Sequence, residues 1–201
     1  MSAMTIEYFF TPQSPWTYLG HERFAAIARA AGAAISVLAV DFGRVFPVSG
    51  GLPLAKRAPQ RQAYRLVELK RFAEFLDLPI NLQPRFFPVN GDDAAKLIIA
   101  VNERDGSDAA MKIAGTTMRG VWVEQRNIAD PSVLQAMLTE CGLAASRLDD
   151  SQSQAVHDRY EADSQRAIDE GVFGAPCYIF DGEMFWGQDR LDFLERRLAR
   201  G

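Results

Sequence analysis

Three short segments carry side chains that could do chemistry together. Ser14-Pro15 sets a hydroxyl directly before a proline, the pattern of a helix N-cap with proline at the first helical position. A hydroxyl there stands where the first backbone N–H groups of the helix point, and an anion brought to it meets the positive end of the dipole. The other reading of Ser14 is a cap and nothing more. Gly174-Ala175-Pro176 leads into an apolar run. A cis Ala175–Pro176 bond would free the Ala175 backbone groups for an extended peptide ligand, whereas a trans proline would simply open an edge strand. In Trp186-Gly187-Gln188-Asp189-Arg190, Gln188 and Asp189 could receive an α-amino and an α-carboxylate group at a helix start, and Asp189 alone reads also as an N-cap.

Other chemistries find little support. The two cysteines, Cys141 and Cys177, lie 36 residues apart with no CxxC and no grouped histidine, which argues against a structural zinc site or a redox dithiol, and no metal is expected. Cys177 reads as a small buried strand residue. His21 and His157 are isolated. Twenty-two Lys and Arg against 26 Asp and Glu give a net charge of −4, with the basic residues scattered, so nucleic-acid binding is disfavoured. Arginine supplies most of the positive charge and only Lys56, Lys70, Lys96 and Lys112 are lysines. Fixed, forked contacts to carboxylates suit that choice. The longest apolar stretches, such as Leu97 to Val101, fall far short of the roughly 20 residues of a membrane span. Met1-Ser2-Ala3-Met4-Thr5 has no charged leader region and runs straight into a strand pattern, so a cytoplasmic address is expected.

The elements that must position these residues are legible in hydrophobic period and punctuation. At 201 residues, 48% hydrophobic and 24% charged, the chain has the composition of a globular protein with a substantial core. Met4 to Phe10 alternates as a strand, Ser14-Pro15 starts a helix with an apolar face that Gly32 stops, and Ala34 to Val40 is a second strand. This β-α-β opening predicts two parallel neighbours. From Gln60 the period is helical, through Leu66, Leu69, Phe72, Ala73 and Leu76, followed by helices near 93–103, 108–124, 131–141 and 151–170. Strands return at Cys177 to Phe180 and Glu183 to Trp186 around Asp181-Gly182, a two-residue hairpin turn, and an amphipathic helix near 189–199 ends the chain. The fold class is therefore α/β: a thioredoxin-like domain, residues 1–59 and 171–201, carrying an inserted all-helical domain, residues 60–170. In such a sheet the three chemical segments converge beyond the carboxyl ends of the parallel strands. A peptide-edge partner, an amino-acid head clamp and a hydroxyl at a helix start together make a glutathione site.

The segments Ser14-Pro15-Trp16-Thr17-Tyr18-Leu19-Gly20, Arg61 to Leu76, Gly171 to Pro176 and Phe185-Trp186-Gly187-Gln188-Asp189-Arg190-Leu191 resemble the 2-hydroxychromene-2-carboxylate isomerases, relatives of kappa-class glutathione transferases and DsbA-type oxidoreductases. The resemblance spans essentially the whole chain. It implies glutathione as cofactor, a homodimer, and a small aromatic substrate. It implies that Ser14 is catalytic, hydrogen-bonding the glutathione sulfur where DsbA-type enzymes carry the first cysteine of CxxC. Ala175 then takes the peptide backbone of glutathione, and Trp186, Gly187, Gln188 and Asp189 hold its γ-glutamyl end. Arg61 lies near the glycyl carboxylate, and Asn90 and Trp122 are on the substrate side. The reaction implied is reversible addition of the glutathione thiolate to an unsaturated carbon. The alternatives are a kappa-like glutathione transferase or peroxidase, and a non-catalytic glutathione-binding protein. A disulfide oxidoreductase is disfavoured because no CxxC stands at the first helix.

Overall fold

In a computed structural model that describes residues 4–200, the chain opens with strand β1 (Thr5–Phe10), in which Ile6, Tyr8, Phe9 and Phe10 are all fully buried. The two-residue period of a strand sends Ile6, Tyr8 and Phe10 into one core and Phe9 into another on the opposite face. Residues 1–3, the start of the segment read above for its address, lie outside the described residues. Helix α1 (Pro15–Ala30) follows Ser14 and is closed by Gly32 in the left-handed region at φ 64°. It crosses over to β2 (Ala34–Ala39), which pairs parallel with β1 from Thr5 against Ala34 to Phe10 against Ala39.

Helix α2 (Phe42–Ser49) is an element that the hydrophobic period did not announce. It is short and contains Gly43 and Pro47, both poor helix formers. Two things override that propensity: Asp41 caps it by accepting the Gly43 N–H at 2.7 Å, and Phe42 and Val45 pack into the core beside Phe9 and Leu38. The helical block then runs α3 (Pro59–Leu76), α4 (Asp92–Asp105), α5 (Ser107–Trp122), α6 (Pro131–Cys141), the single turn α7 (Arg147–Asp150) and α8 (Gln154–Asp169). The helix expected from residue 151 begins later because Ser153 is its cap, accepting the Val156 N–H at 3.4 Å.

Strands β3 (Cys177–Phe180) and β4 (Glu183–Trp186) form the expected hairpin. Asp181 at φ 51° and Gly182 at φ 76° are both left-handed, as a type I′ turn requires. The sheet order is β2-β1-β3-β4, with β3 antiparallel to β1. A 3-10 turn over Gln188–Arg190 precedes α9 (Leu191–Leu198) where one continuous helix was expected. Gly187, at φ 99°, turns the chain there. Residues of α2 and α8 cover one face of the sheet. On the other face a single buried cluster runs from Tyr8 and Phe10 through Phe24 of α1 to Leu97, Ile98, Trp122 and Met137 of the helical block. None of the helices among the described residues is long and apolar enough to cross a membrane.

One buried polar bridge ties three elements of that core. His21 of α1 lies within 3.0 Å of the Tyr8 hydroxyl on β1 through Nδ1 and within 2.9 Å of the Met111 carbonyl on α5 through Nε2. A carbonyl only accepts, so Nε2 donates to Met111, and a neutral ring leaves Nδ1 to accept from the Tyr8 hydroxyl. Burial holds the imidazole pKa below the ordinary value, which favours that neutral form in the folded protein. The unfolded chain takes up the proton near pH 6.5, so the stability is fully present above that pH and is lost as pH falls below it. Between pH 7.5 and 5.5 wild type should lose about 1 kcal/mol more stability than His21→Gln, read by denaturant unfolding. Identical pH profiles would show that His21 is not held neutral.

Candidate active site

A cavity of about 560 Å³ opens between the N-terminal half of α3, the start of α1 and the turn from β4 to α9. Its apolar walls are aromatic: Trp16, Tyr64, Phe72 and Trp186. Trp16 and Phe72 meet edge to face with ring centres 5.9 Å apart, and half-exposed Trp186 packs on Phe173 at 4.7 Å. Arg57, Arg61 and Arg65 supply the charge; Arg61 and Arg65, four apart on α3, share one face of the helix. Arg57 stands two residues ahead of α3 in extended conformation, with its Nε on the Leu52 carbonyl at 2.8 Å.

The two acids of the cavity do not neutralise these cations. Glu68 pairs with Arg71 and Asp189 with Arg190, each at 2.7 Å. Among the described residues Arg57, Arg61 and Arg65 have no carboxylate within ion-pair distance. Burial, then repulsion from Arg57, pulls the Arg65 guanidinium down to about 10. Burial and Arg61 lower that of Arg57. Helix α3 adds to the imbalance, because it has no side-chain cap at Ala58 and no acidic residue in its first turn. Its positive end thus faces a cavity already rich in cations. Such a place stabilises an anion, and its aromatic walls suit one with an apolar body.

Of the residues singled out from the sequence, the fold brings Arg61, Ala175, Trp186, Gly187, Gln188 and Asp189 to this one cavity. The Ala175–Pro176 bond is cis, and the Gly187 N–H donates to the Pro176 carbonyl at 2.9 Å, fastening the two C-terminal segments together. Gln188 is only 2% exposed. Its carbonyl and its Oε1 both accept from Arg23 of α1, and its amide nitrogen is shut off from solvent without a protein partner. Arg23 of α1 thus engages the Gln188 Oε1, while the Gln188 Nε2 has no partner among the described residues. Ser14 caps α1, its Oγ accepting the Thr17 N–H at 3.2 Å. It is 8% exposed and stands two residues before Trp16, just outside the cavity walls. A cap uses a lone pair, so the hydroxyl hydrogen stays available to donate.

Asn90 does not line the cavity either. Gln13 clamps the Val89 backbone from both sides, at 2.9 Å and 3.3 Å, which lays the segment bearing Asn90 against the turn that precedes Ser14. Its Oδ1 accepts the Asp92 N–H at 2.8 Å. Trp122 is fully buried beside Phe87, at 4.7 Å, and does not itself line the cavity; Arg65, which does, lies over both rings. Cys177 is fully buried and its thiol is pushed up to about 12 by burial, an inert strand residue. Sequence reasoning missed Arg57, Arg65 and, among the aromatic walls, Trp16, Tyr64 and Phe72. The recurrence of arginine at 57, 61 and 65 was the available signal.

Fold and site together define a thioredoxin-type scaffold with a cation-rich, aromatic-walled cavity at one end of its sheet, and a profile of the DSBA-like thioredoxin domain matches residues 5–199. The chain belongs to that family. Within it, the resemblance to 2-hydroxychromene-2-carboxylate isomerases holds: the chain is 29% identical over 201 residues to that enzyme from Pseudomonas putida, covering 98% of this chain and 95% of the relative. A solved structure of a 2-hydroxychromene-2-carboxylate isomerase superposes with a TM-score of 0.81 at 27% identity, covering 98% of this chain and 95% of the other. Glutathione S-transferase kappa 1 of Caenorhabditis elegans is 23% identical over 201 residues, 94% of this chain and 88% of the relative.

The contact that closes the site is testable. A Cβ on Gly20 would stand 2.7 Å from the Gln188 Cβ and 3.1 Å from the Tyr178 hydroxyl, and neither is the far end of a flexible chain. Gly20→Ala should cost roughly 1–3 kcal/mol by overpacking, more than the ~0.5–1 kcal/mol gained in helix propensity. A thermal midpoint at or above wild type would show that the two elements do not meet as closely as described.

Proposed function

We propose that the protein is a glutathione-dependent isomerase acting on a 2-hydroxychromene-2-carboxylate-type aromatic catabolite. The observation that carries this reading is the cavity itself, in which three unneutralised guanidinium groups and an aromatic wall adjoin the Ala175 edge. Among the described residues the Ala175 N–H and carbonyl have no hydrogen-bond partner, which suits them to the peptide backbone of glutathione. Arg61 receives the glycyl carboxylate, and the turn from Trp186 to Asp189 receives the γ-glutamyl end. Asn90 and Trp122 act on the substrate side, the first from beside Ser14 and the second through Arg65.

The thiolate adds to an unsaturated carbon of the substrate, and the saturated bond so formed rotates. The ring opens, and expulsion of the thiolate restores the double bond in the benzylidenepyruvate isomer. No glutathione is consumed. A kappa-like transferase would release the adduct instead, so stoichiometric loss of thiol during turnover separates the two. Free thiols ionise near pH 8.5, and the protein's task is to favour the thiolate near neutrality through the Ser14 hydroxyl and the N-terminus of α1. The reading carries a cytoplasmic address, where reduced glutathione is held. It also carries a homodimer, for which Val67 and Phe75, exposed on α3, offer apolar surface. Light scattering at the monomer mass would contradict the dimer.

Ser14→Ala should leave glutathione affinity nearly intact, because the Ala175 and head-group contacts remain. It should raise the pKa of the bound thiol by about one unit or more, the worth of a hydrogen bond to a charged group. Turnover should fall near pH 7, and the deficit should shrink as pH rises and solution chemistry supplies the thiolate. Loss of roughly 0.5–2 kcal/mol of stability with an unchanged thiol absorbance titration would leave Ser14 as a cap alone.

A further inference from the structure

We propose that Arg65 is the specificity residue of this site, binding the carboxylate of the aromatic substrate while Phe72 and Trp16 receive its ring. Arg65 lines the cavity with its guanidinium carbon 5.5 Å above the centre of Phe87 and 5.7 Å above that of Trp122. Such stacking fixes a planar group from one side and leaves its N–H donors to the cavity. Among the described residues none of those donors meets a carboxylate or any other acceptor. Nor can the cavity's own acids supply one, since Glu68 and Asp189 are engaged by Arg71 and Arg190. A partly buried guanidinium without a counter-charge is costly to hold, and burial already pulls its proton affinity down.

Position on the helix selects the partner. Arg57 and Arg61 stand at the open N-terminus of α3, whereas Arg65 lies one turn further in. Phe72 follows it by two turns on the same face, about 10 Å along the axis. An aryl 2-oxo acid laid along that face sets its carboxylate on Arg65 and its ring against Phe72 and Trp16. The assignment rests on the isomerase reading for the reaction, but the recognition of an aryl carboxylate can be measured without turnover.

The test uses a matched pair: benzylidenepyruvate, and benzylideneacetone, in which a methyl group replaces the carboxylate. Each is titrated, as is glutathione separately, into wild type, Arg65→Met and Arg65→Lys, with circular dichroism confirming the fold. Wild type should bind the acid at least tenfold more tightly than the ketone. Arg65→Met should abolish that preference through the acid alone, leaving the affinities for ketone and glutathione within about twofold. Arg65→Lys keeps the charge but not the fork and should fall between, which preserves the test if the methionine variant does not fold. Equal wild-type affinity for acid and ketone would overturn the assignment, as would parallel weakening of both in Arg65→Met or loss of glutathione binding by that variant. A wild type that binds no glutathione, with Arg65→Met still abolishing its preference for the acid, would contradict the proposed function and uphold Arg65.

Discussion

The close approach of Gln188 to the bare backbone at Gly20 is the contact on which the site depends. Only a glycine lets the C-terminal turn lie this near α1, and Arg23 then holds the Gln188 carbonyl and side chain in place. With Gln188 fastened inward, its neighbours Trp186, Gly187 and Asp189 face the cavity, and the Gly187 N–H reaches the Pro176 carbonyl. A contact between residues 168 positions apart thus joins the first helix and the last hairpin into one wall. The central strand supports both: β1 pairs with β2 on one side and β3 on the other, so the ends of the elements meet at one edge of the sheet.

The opposite wall is electrostatic in character. Helix α3 brings cations to its own positive end, where a stable isolated helix would carry acids. That arrangement is unfavourable in the empty protein, and an anion placed there would relieve repulsion as well as accept new hydrogen bonds. The aromatic side chains do two separate things. Trp16, Phe72 and Trp186 bound the space a ligand occupies, while Trp122 and Phe87 lie beneath Arg65 and fix its plane. Trp122 is fully buried, so it meets the cavity only by way of the guanidinium above it.

Much of this was legible in the sequence, for local reasons. Ser14-Pro15 and Asp181-Gly182 each specify a cap or a turn within a few residues, and the structure contains both. Helix α2 was not legible, since Gly43 and Pro47 speak against a helix and only burial of Phe42 and Val45 on the sheet decides otherwise. The site divided in the same way. Ala175 and the Trp186 to Asp189 turn are marked by proline, glycine and family motif. Arg57 and Arg65 are not marked in this way, because nothing local shows that neighbouring acids are engaged by Arg71 and Arg190. Whether Gln188 points outward or inward depends on Gly20 and Arg23, more than 160 residues away, which no short-range pattern encodes.

The central claim is that the cavity receives glutathione and that its thiol ionises there. Calorimetric titration of glutathione at pH 7 in two buffers of different ionisation enthalpy measures the protons released on binding. The account predicts saturable binding with release of a substantial fraction of one proton per site, since a thiol with pKa near 8.5 in water becomes largely thiolate in the complex. Saturable binding with the same heat in both buffers would mean that the thiol stays protonated and would contradict the account.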